Sequence, residues 1–161
     1  MVLLSVKAGL RACEIAGLTW AMAYDAKQAI GQALEVRDAI AKKRAGRIVP
    51  INADLRKALQ ALQRQVRPKP HEPIIISERG GHMRAAAIVN WFSALYRRAE
   101  LTGCSSHSGR RTFITKAARL IFKVGGSLRD VQQLAGHASI EMTQRYIEGS
   151  TRAKRALVEL L

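Results

Sequence analysis

Residues 134–146 read LAGHASIEMTQRY, and this stretch fixes the character of the C-terminal half. Just upstream, Ser127 stands three residues before Asp130, a capping-box spacing, and Val131 and Leu134 follow on one helical face. Gly136 ends that pattern. Ser139 then starts a second predicted helix over 139–148, with Glu141 in its first turn to complement the helix dipole. His137 therefore falls in a turn between two helices, a place from which an imidazole can be aimed into a cleft. Tyr146 comes nine residues later, late on the second helix. Taken alone, such a tyrosine reads as a half-buried core residue with its hydroxyl at the rim, and such a histidine as one tied to local backbone.

Helical periodicity extends outward from this stretch. Arg110–Lys123 reads as a helix stopped by Gly125 and Gly126, and residues 84–100 carry Ile88, Trp91, Phe92 and Leu95 on one stripe. Asn52 is a good N-cap for a helix with Leu55, Leu59, Leu62 and Val66 on one stripe, ended by Pro68 and Pro70. Between that helix and the front of the chain, Leu34 and Val36 alternate with Glu35 and Arg37, and Arg47–Ile51 returns as a partner strand across a basic tip, Lys42–Gly46. Pro50 lies near the strand end, where a ladder tolerates it. Ile74–Ile76 is a short strand candidate closed by Gly80 and Gly81. Residues 20–33 give a weak signal and read as loop or irregular strand. At the front, Val2–Val6 is a short apolar run reaching Gly9, and a short helix follows with Arg11 near its start and Ile15 and Leu18 inward. Thr151 can cap a last helix with Leu157, Leu160 and Leu161 on one face. The fold class is mainly α with a small antiparallel β-sheet.

Composition narrows the function. A chain of 161 residues that is 48% hydrophobic can build a core, and with 5% aromatic residues that core rests on aliphatic side chains. Twenty-seven Lys and Arg against 12 acidic residues give a net charge of +15, divided evenly between the two halves of the chain rather than gathered in a tail. A folded domain with a cationic face attracts polyanions, which makes nucleic acid the expected partner. Cys13 and Cys104 have neither metal-ligand nor disulfide-framework spacing. Cys13 is expected to be a small core residue, and a reducing compartment is implied. No apolar run is long enough to span a bilayer, and MVLLSV is too short for a signal peptide.

A set of cationic and titratable residues could carry chemistry. If His107-Ser108-Gly109-Arg110 opens a helix, His107 and Arg110 share a face, and an imidazole beside a planar guanidinium fork suits a phosphate. A phenol with a pKa near 10 is a poor nucleophile at neutral pH, so Tyr146 would need neighbouring cations to favour the phenolate and hold a phosphate in line. Lys42, with Lys43 and Arg44, is either a solvated hairpin tip or a mobile cation able to protonate a leaving hydroxyl. Arg11 is either such a phosphate ligand or half of a buried pair with Glu14.

Four segments in order, AGLRACEIAGLTW (8–20), KKRAGRIVPIN (42–52), SSHSGRRTFIT (105–115) and LRDVQQLAGHASIEMTQRYIE (128–148), resemble the catalytic domain of the tyrosine recombinases, the phage-integrase family. The resemblance runs across nearly the whole chain. It implies that Tyr146 is the nucleophile forming a 3′-phosphotyrosyl bond. Arg11 and Arg110 would clamp the scissile phosphate, and His107 and His137 would hydrogen-bond its oxygens and assist proton movement. Lys42, eight residues before Pro50, would be the general acid for the 5′-hydroxyl. It further implies double-stranded DNA as partner, a homo-tetramer on DNA with a monomer admissible when free, no metal or other cofactor, no membrane, and action on the nucleoid in a bacterial cytoplasm. Family members usually carry a helical core-binding domain in front. Here the chain starts almost at the Arg11 segment, so 1–161 is expected to be a single catalytic domain with the N-terminal core-binding domain absent. Alternatives are a DNA-binding remnant without strand transfer and a type IB topoisomerase. In this chain Ser108 stands where the family commonly has an acidic residue.

Overall fold

Main-chain glycines and short helices set the front of the molecule. The computed structural model describes residues 1–147 and, beyond them, Arg155, Val158 and Glu159; the expected last helix over 151–161 falls largely outside the described residues. Helix α1 (Val2–Ala8) ends at Gly9, whose φ of 63° is a left-handed conformation that glycine adopts without penalty. Helix α2 (Ala12–Gly17) starts directly after Arg11. Strands β1 (Ala33–Val36) and β2 (Arg47–Pro50) pair antiparallel with Leu34 opposite Val49 and Val36 opposite Arg47. Leu34, Val36 and Val49 are buried and Ile48 is 61% exposed, so one face of the hairpin is in the core and the other in solvent. The longer helices are α3 (Ala53–Val66), α4 (Ala85–Arg98) and α5 (Ser108–Leu120), followed by the short α6 (Leu128–Ala135) and α7 (Ile140–Gln144). The class read from the sequence, mainly α with a small antiparallel sheet, is the class observed.

Two apolar clusters form. The larger joins α1, α2, the hairpin, α3 and α4 around Leu10, Leu18, Trp20, Leu34, Leu55, Ile88 and Phe92. The smaller joins α5 and α6 through Ile114, Ala118, Val131 and Ala135, with Tyr146 packed at its edge. Each fully buried aliphatic side chain contributes roughly 1.5–3 kcal/mol. The two clusters meet where α1 lies against α5. Gly109 makes that approach possible: a Cβ there would stand 2.4 Å from Ser5 Oγ and 3.0 Å from Ser5 Cβ. This contact holds Arg110, the next residue, against the end of α1.

Several expectations are corrected. Ile74–Ile76 is not a strand. Its neighbours supply only isolated bridges, Thr19 with Pro73 and Ile76 with His82, and Pro73 has no N–H to extend a ladder. Cys13 is exposed rather than core, because α2 turns Glu14 and Ile15 inward. Trp91 is 37% exposed and meets Phe92 edge-on, leaving Ile88 and Phe92 as the buried positions of α4. The helix expected over Arg110–Lys123 starts earlier, at Ser108, and gives way to a 3-10 turn over Ile121–Val124. The helix expected over 139–148 stops at Gln144, and Tyr146 sits in the following turn, its N–H bonded to Thr143 O at 3.0 Å. In the weakly read 20–33 region, Trp20, Met22 and Ala23 belong to the core.

Replacing Gly109 by alanine should force α1 and α5 apart. The expected outcome is a loss of about 1–3 kcal/mol in unfolding free energy, read by chemical denaturation, because the added methyl overpacks a helix contact.

Candidate functional site

The site is built on the carboxyl end of α6. Ser127 and Asp130 open that helix, with Ser127 N–H donating to Asp130 Oδ2 at 2.7 Å. Gly136, at φ 61°, closes it in the left-handed conformation. The last carbonyls of a helix lack intrahelical donors and carry the negative end of its dipole. Here three guanidinium groups take them. Arg47 Nε donates to Leu134 O at 2.8 Å, Arg110 Nη2 to Ala135 O at 2.6 Å, and Arg11 Nη2 to Gly136 O at 3.3 Å. Arg110 Nη1 also donates to Gly9 O, tying α5 to the end of α1.

Glu14, wholly buried, links two of these arginines. Its Oε1 accepts from Arg11 Nη1 at 2.9 Å and Arg47 Nη1 at 2.8 Å, and its Oε2 from Arg47 Nη2 at 3.0 Å and the Arg11 backbone N–H at 2.8 Å. Burial alone would raise the Glu14 pKa. The hydrogen bond and charge of Arg47, reinforced by Arg11, outweigh it and hold the carboxyl below its ordinary value. Three cations against one carboxylate leave the cluster positive. Arg110 feels this: burial first, and then the charge of Arg11, lower its pKa to about 10, which still leaves it protonated at neutral pH.

His137 follows Gly136 directly and inherits its direction from that turn. It is buried, its Nδ1 lies 2.9 Å from Thr143 Oγ1, and its carbonyl accepts from Gln132 Nε2 at 3.0 Å. Burial, then the charges of Arg110, Arg11 and Arg47, lower its pKa from 6.5 to about 4, so the imidazole is neutral at physiological pH. Its ring stacks on Tyr146 with centroids 5.5 Å apart and planes at 23°.

Tyr146, Arg110 and His107 line one cleft of about 300 Å³ together with Gly103, Ser105, Ser108 and Arg111. The loop into α5 is held by serines: Ser105 N–H donates to Ser108 Oγ at 2.9 Å and His107 N–H to Ser105 Oγ at 3.3 Å. That arrangement leaves His107 exposed at the start of the helix and Arg110 buried in its first turn. The structure thus brings Arg11, Arg110, His137 and Tyr146 into one connected cluster, with His107 on the shared cleft. Lys42 is different. Arg11 and His137 do not line the cleft but are bonded or stacked to the groups around it, whereas Lys42 sits exposed in a 3-10 turn over Lys42–Arg44 with no hydrogen bond to the cluster among the described residues. Among the described residues, no group of His, Cys, Asp and Glu is placed to hold a metal ion. Arg47 and Thr143 were not singled out by the sequence. For Arg47 a signal existed: it shares strand parity with the buried Val49 and Ile51, so its charge points inward.

A mostly helical domain with a two-stranded antiparallel hairpin is the fold of the tyrosine recombinase catalytic domains. The sequence pattern of the phage integrase family matches residues 1–152, and the chain belongs to that family. Among curated relatives, the tyrosine recombinase XerC of Bacillus subtilis is 30% identical over 117 residues, which cover 68% of this chain and 37% of that protein. The XerC of Oceanobacillus iheyensis is 33% identical over 113 residues, covering 65% and 36%. The chain therefore matches little more than a third of their length. Of solved structures, the Tn1549 transposon integrase in complex with a circular intermediate DNA superposes with a TM-score of 0.75 at 21% identity, over 99% of this chain and 57% of that one. The crystal structure of XerA recombinase gives 0.71 at 25% identity, over 99% and 54%.

The depressed histidine has a measurable consequence. Between pH 6.5 and about 4 the unfolded chain binds a proton that native His137 refuses, so the His137 contribution to stability falls as pH falls through that window and levels off below it. The effect is about 3 kcal/mol at most. Denaturation across this window should show a shallower acid loss in His137→Asn than in the wild type.

Proposed function

We propose that this domain cleaves and rejoins DNA strands at specific sites through a covalent tyrosine intermediate. The observation that carries the reading is the shared cleft: Tyr146 faces the same space as Arg110 and His107 and stacks on His137. Phosphoryl transfer asks for positioning and fixed positive charge more than for covalent help, and groups already oriented by the fold supply that charge without reorganisation. In the proposed step the Tyr146 oxygen attacks phosphorus and loses its proton. An O–P bond to the tyrosine forms at the 3′ side as the bond to the 5′-oxygen breaks. Lys42 gives a proton to the departing 5′-oxygen, which leaves as a hydroxyl. Arg11 and Arg110 balance charge on the non-bridging oxygens, with His107 and His137 hydrogen-bonded to them. Because the phosphotyrosyl bond keeps the energy of the broken linkage, a 5′-hydroxyl can reverse the step without ATP, and the cationic side chains serve where other phosphoryl-transfer enzymes employ a metal.

The partner in this reading is double-stranded DNA, bound largely through phosphate contacts and hence with steep salt dependence. A tetramer on two duplexes and action on a bacterial nucleoid belong to the same proposal. No helix among the described residues is long and apolar enough to cross a membrane. One observation favours a second reading, a DNA-binding domain without strand transfer: Lys42 stands outside the cleft, so the general acid would have to be carried in by its hairpin.

A nicked suicide DNA substrate separates the two. Wild-type protein should trap a covalent protein–DNA adduct and Tyr146→Phe should trap none. An adduct that persists in Tyr146→Phe would sink the assignment. Salt-sensitive DNA binding with no adduct from the wild type would establish the second reading. Relaxation of plain supercoiled plasmid would point instead to a topoisomerase.

A further inference from the structure

Thr143 has no role in the reading above, yet it makes a defined contact with the site. It lies on α7 with no solvent exposure, and its hydroxyl stands 2.9 Å from His137 Nδ1. A threonine hydroxyl has one proton to give and lone pairs to receive with, and a neutral imidazole has one protonated and one bare nitrogen. Two arrangements satisfy the distance. In one, Nδ1–H donates to Thr143 Oγ1. The hydroxyl proton then needs an acceptor of its own, and among the described residues it has none: the bond to His137 is the sole one its Oγ1 makes. A buried donor left without an acceptor costs about 1–3 kcal/mol. In the other arrangement Thr143 donates to a bare Nδ1, and nothing is stranded. The proton of the imidazole then sits on Nε2.

His137 Nε2 makes no hydrogen bond to any described residue, and it is not one of the fully buried side-chain atoms without a partner there, which are Ser5 Oγ and Trp20 Nε1. We infer that Thr143 is a positioning residue that fixes neutral His137 as the Nε2–H tautomer, making it a hydrogen-bond donor to the bound phosphate and barring it from accepting the Tyr146 proton. The donor role toward phosphate rests on the proposed strand-transfer reading; the tautomer does not. The pKa of His137, held at about 4, keeps the tautomer question relevant at neutral pH, since an imidazolium would carry both protons. If His137 can only donate, the phenol proton goes to His107, the imidazole that lines the Tyr146 cleft, or to solvent. The tautomer also suits the surroundings: a bare Nδ1 accepts from a neutral hydroxyl, and an N–H is offered where an anion would bind among guanidinium groups.

The test is nitrogen NMR of histidine-labelled, DNA-free protein at neutral pH, with the His137 signals assigned by their loss in His137→Gln. The expected spectrum shows Nε2 as the protonated, pyrrole-type nitrogen and Nδ1 as the bare, pyridine-type one. Thr143→Val should shift the ring toward the other tautomer or a mixture and lose strand cleavage, and Thr143→Ser should restore both. A wild-type spectrum with the proton on Nδ1 would overturn the inference, as would an unchanged tautomer in Thr143→Val. Should the valine variant not fold, the wild-type and Thr143→Ser spectra still decide. A suicide-substrate assay on the same preparations keeps the two ideas apart. The expected tautomer with no wild-type adduct would support the positioning assignment while removing strand transfer, and an adduct with the opposite tautomer would do the reverse.

Discussion

A single buried carboxylate determines much of how this molecule is put together. Glu14 has no contact with water, and it survives as an anion only because Arg11 and Arg47 reach it from different elements. Arg11 precedes α2 and Arg47 opens β2, so the carboxylate joins the front of the chain to the hairpin. The same two guanidinium groups continue to the carbonyl end of α6, and Arg110 joins them there from α5. Three separate pieces of chain are thus tied to one helix terminus. An isolated buried charge would cost several kcal/mol; here each charge finds its partners among groups that the helix end would otherwise leave without donors.

This arrangement also suits the proposed chemistry. The cations needed for a phosphate are held by bonds that do not involve the phosphate, so their positions are set before any ligand arrives. The cluster stays positive because one carboxylate faces three arginines. That excess, together with burial, explains the neutral His137, and it would favour an anion in the adjoining cleft. The glycines work at close quarters in this design. Gly136 turns the chain out of α6 so that His137 enters the site at once, and Gly109 lets α5 approach α1 closely enough for Arg110 to reach Gly9 O.

Much of this was legible in the sequence where a local rule governs the outcome. The Ser127–Asp130 box, the stop at Gly136, the Asn52 cap and the alternation of Leu34 and Val36 each act within a few residues, and each is found as read. The misreadings arise where distant contacts decide. Nothing in IEMTQRYIE breaks a helix, yet α7 stops at Gln144 and its last turn tightens, which sets the Tyr146 ring against the α5–α6 cluster and His137. Ile74–Ile76 has strand composition but, among the described residues, meets no strand to pair with. For Arg11, sequence spacing left open a phosphate ligand or a partner of Glu14; the fold shows that it binds Glu14 and Gly136 O together. An arginine in a basic hairpin reads as surface, yet Arg47 shares the parity of Val49 and Ile51 and points inward. Lys42 stands on the hairpin tip as read, and its separation from the cleft is a tertiary fact that no spacing rule reports.

The central claim is that Glu14 and Arg47 act as one unit that holds the arginines in place. A double-mutant cycle with Glu14→Gln, Arg47→Gln and the pair, followed by unfolding free energy, measures this directly. The account expects each single change to be strongly destabilising and the double change to cost much less than their sum, with a coupling of about 1–3 kcal/mol. Additivity to within about 0.5 kcal/mol would contradict it, because it would mean that the two side chains touch without depending on each other.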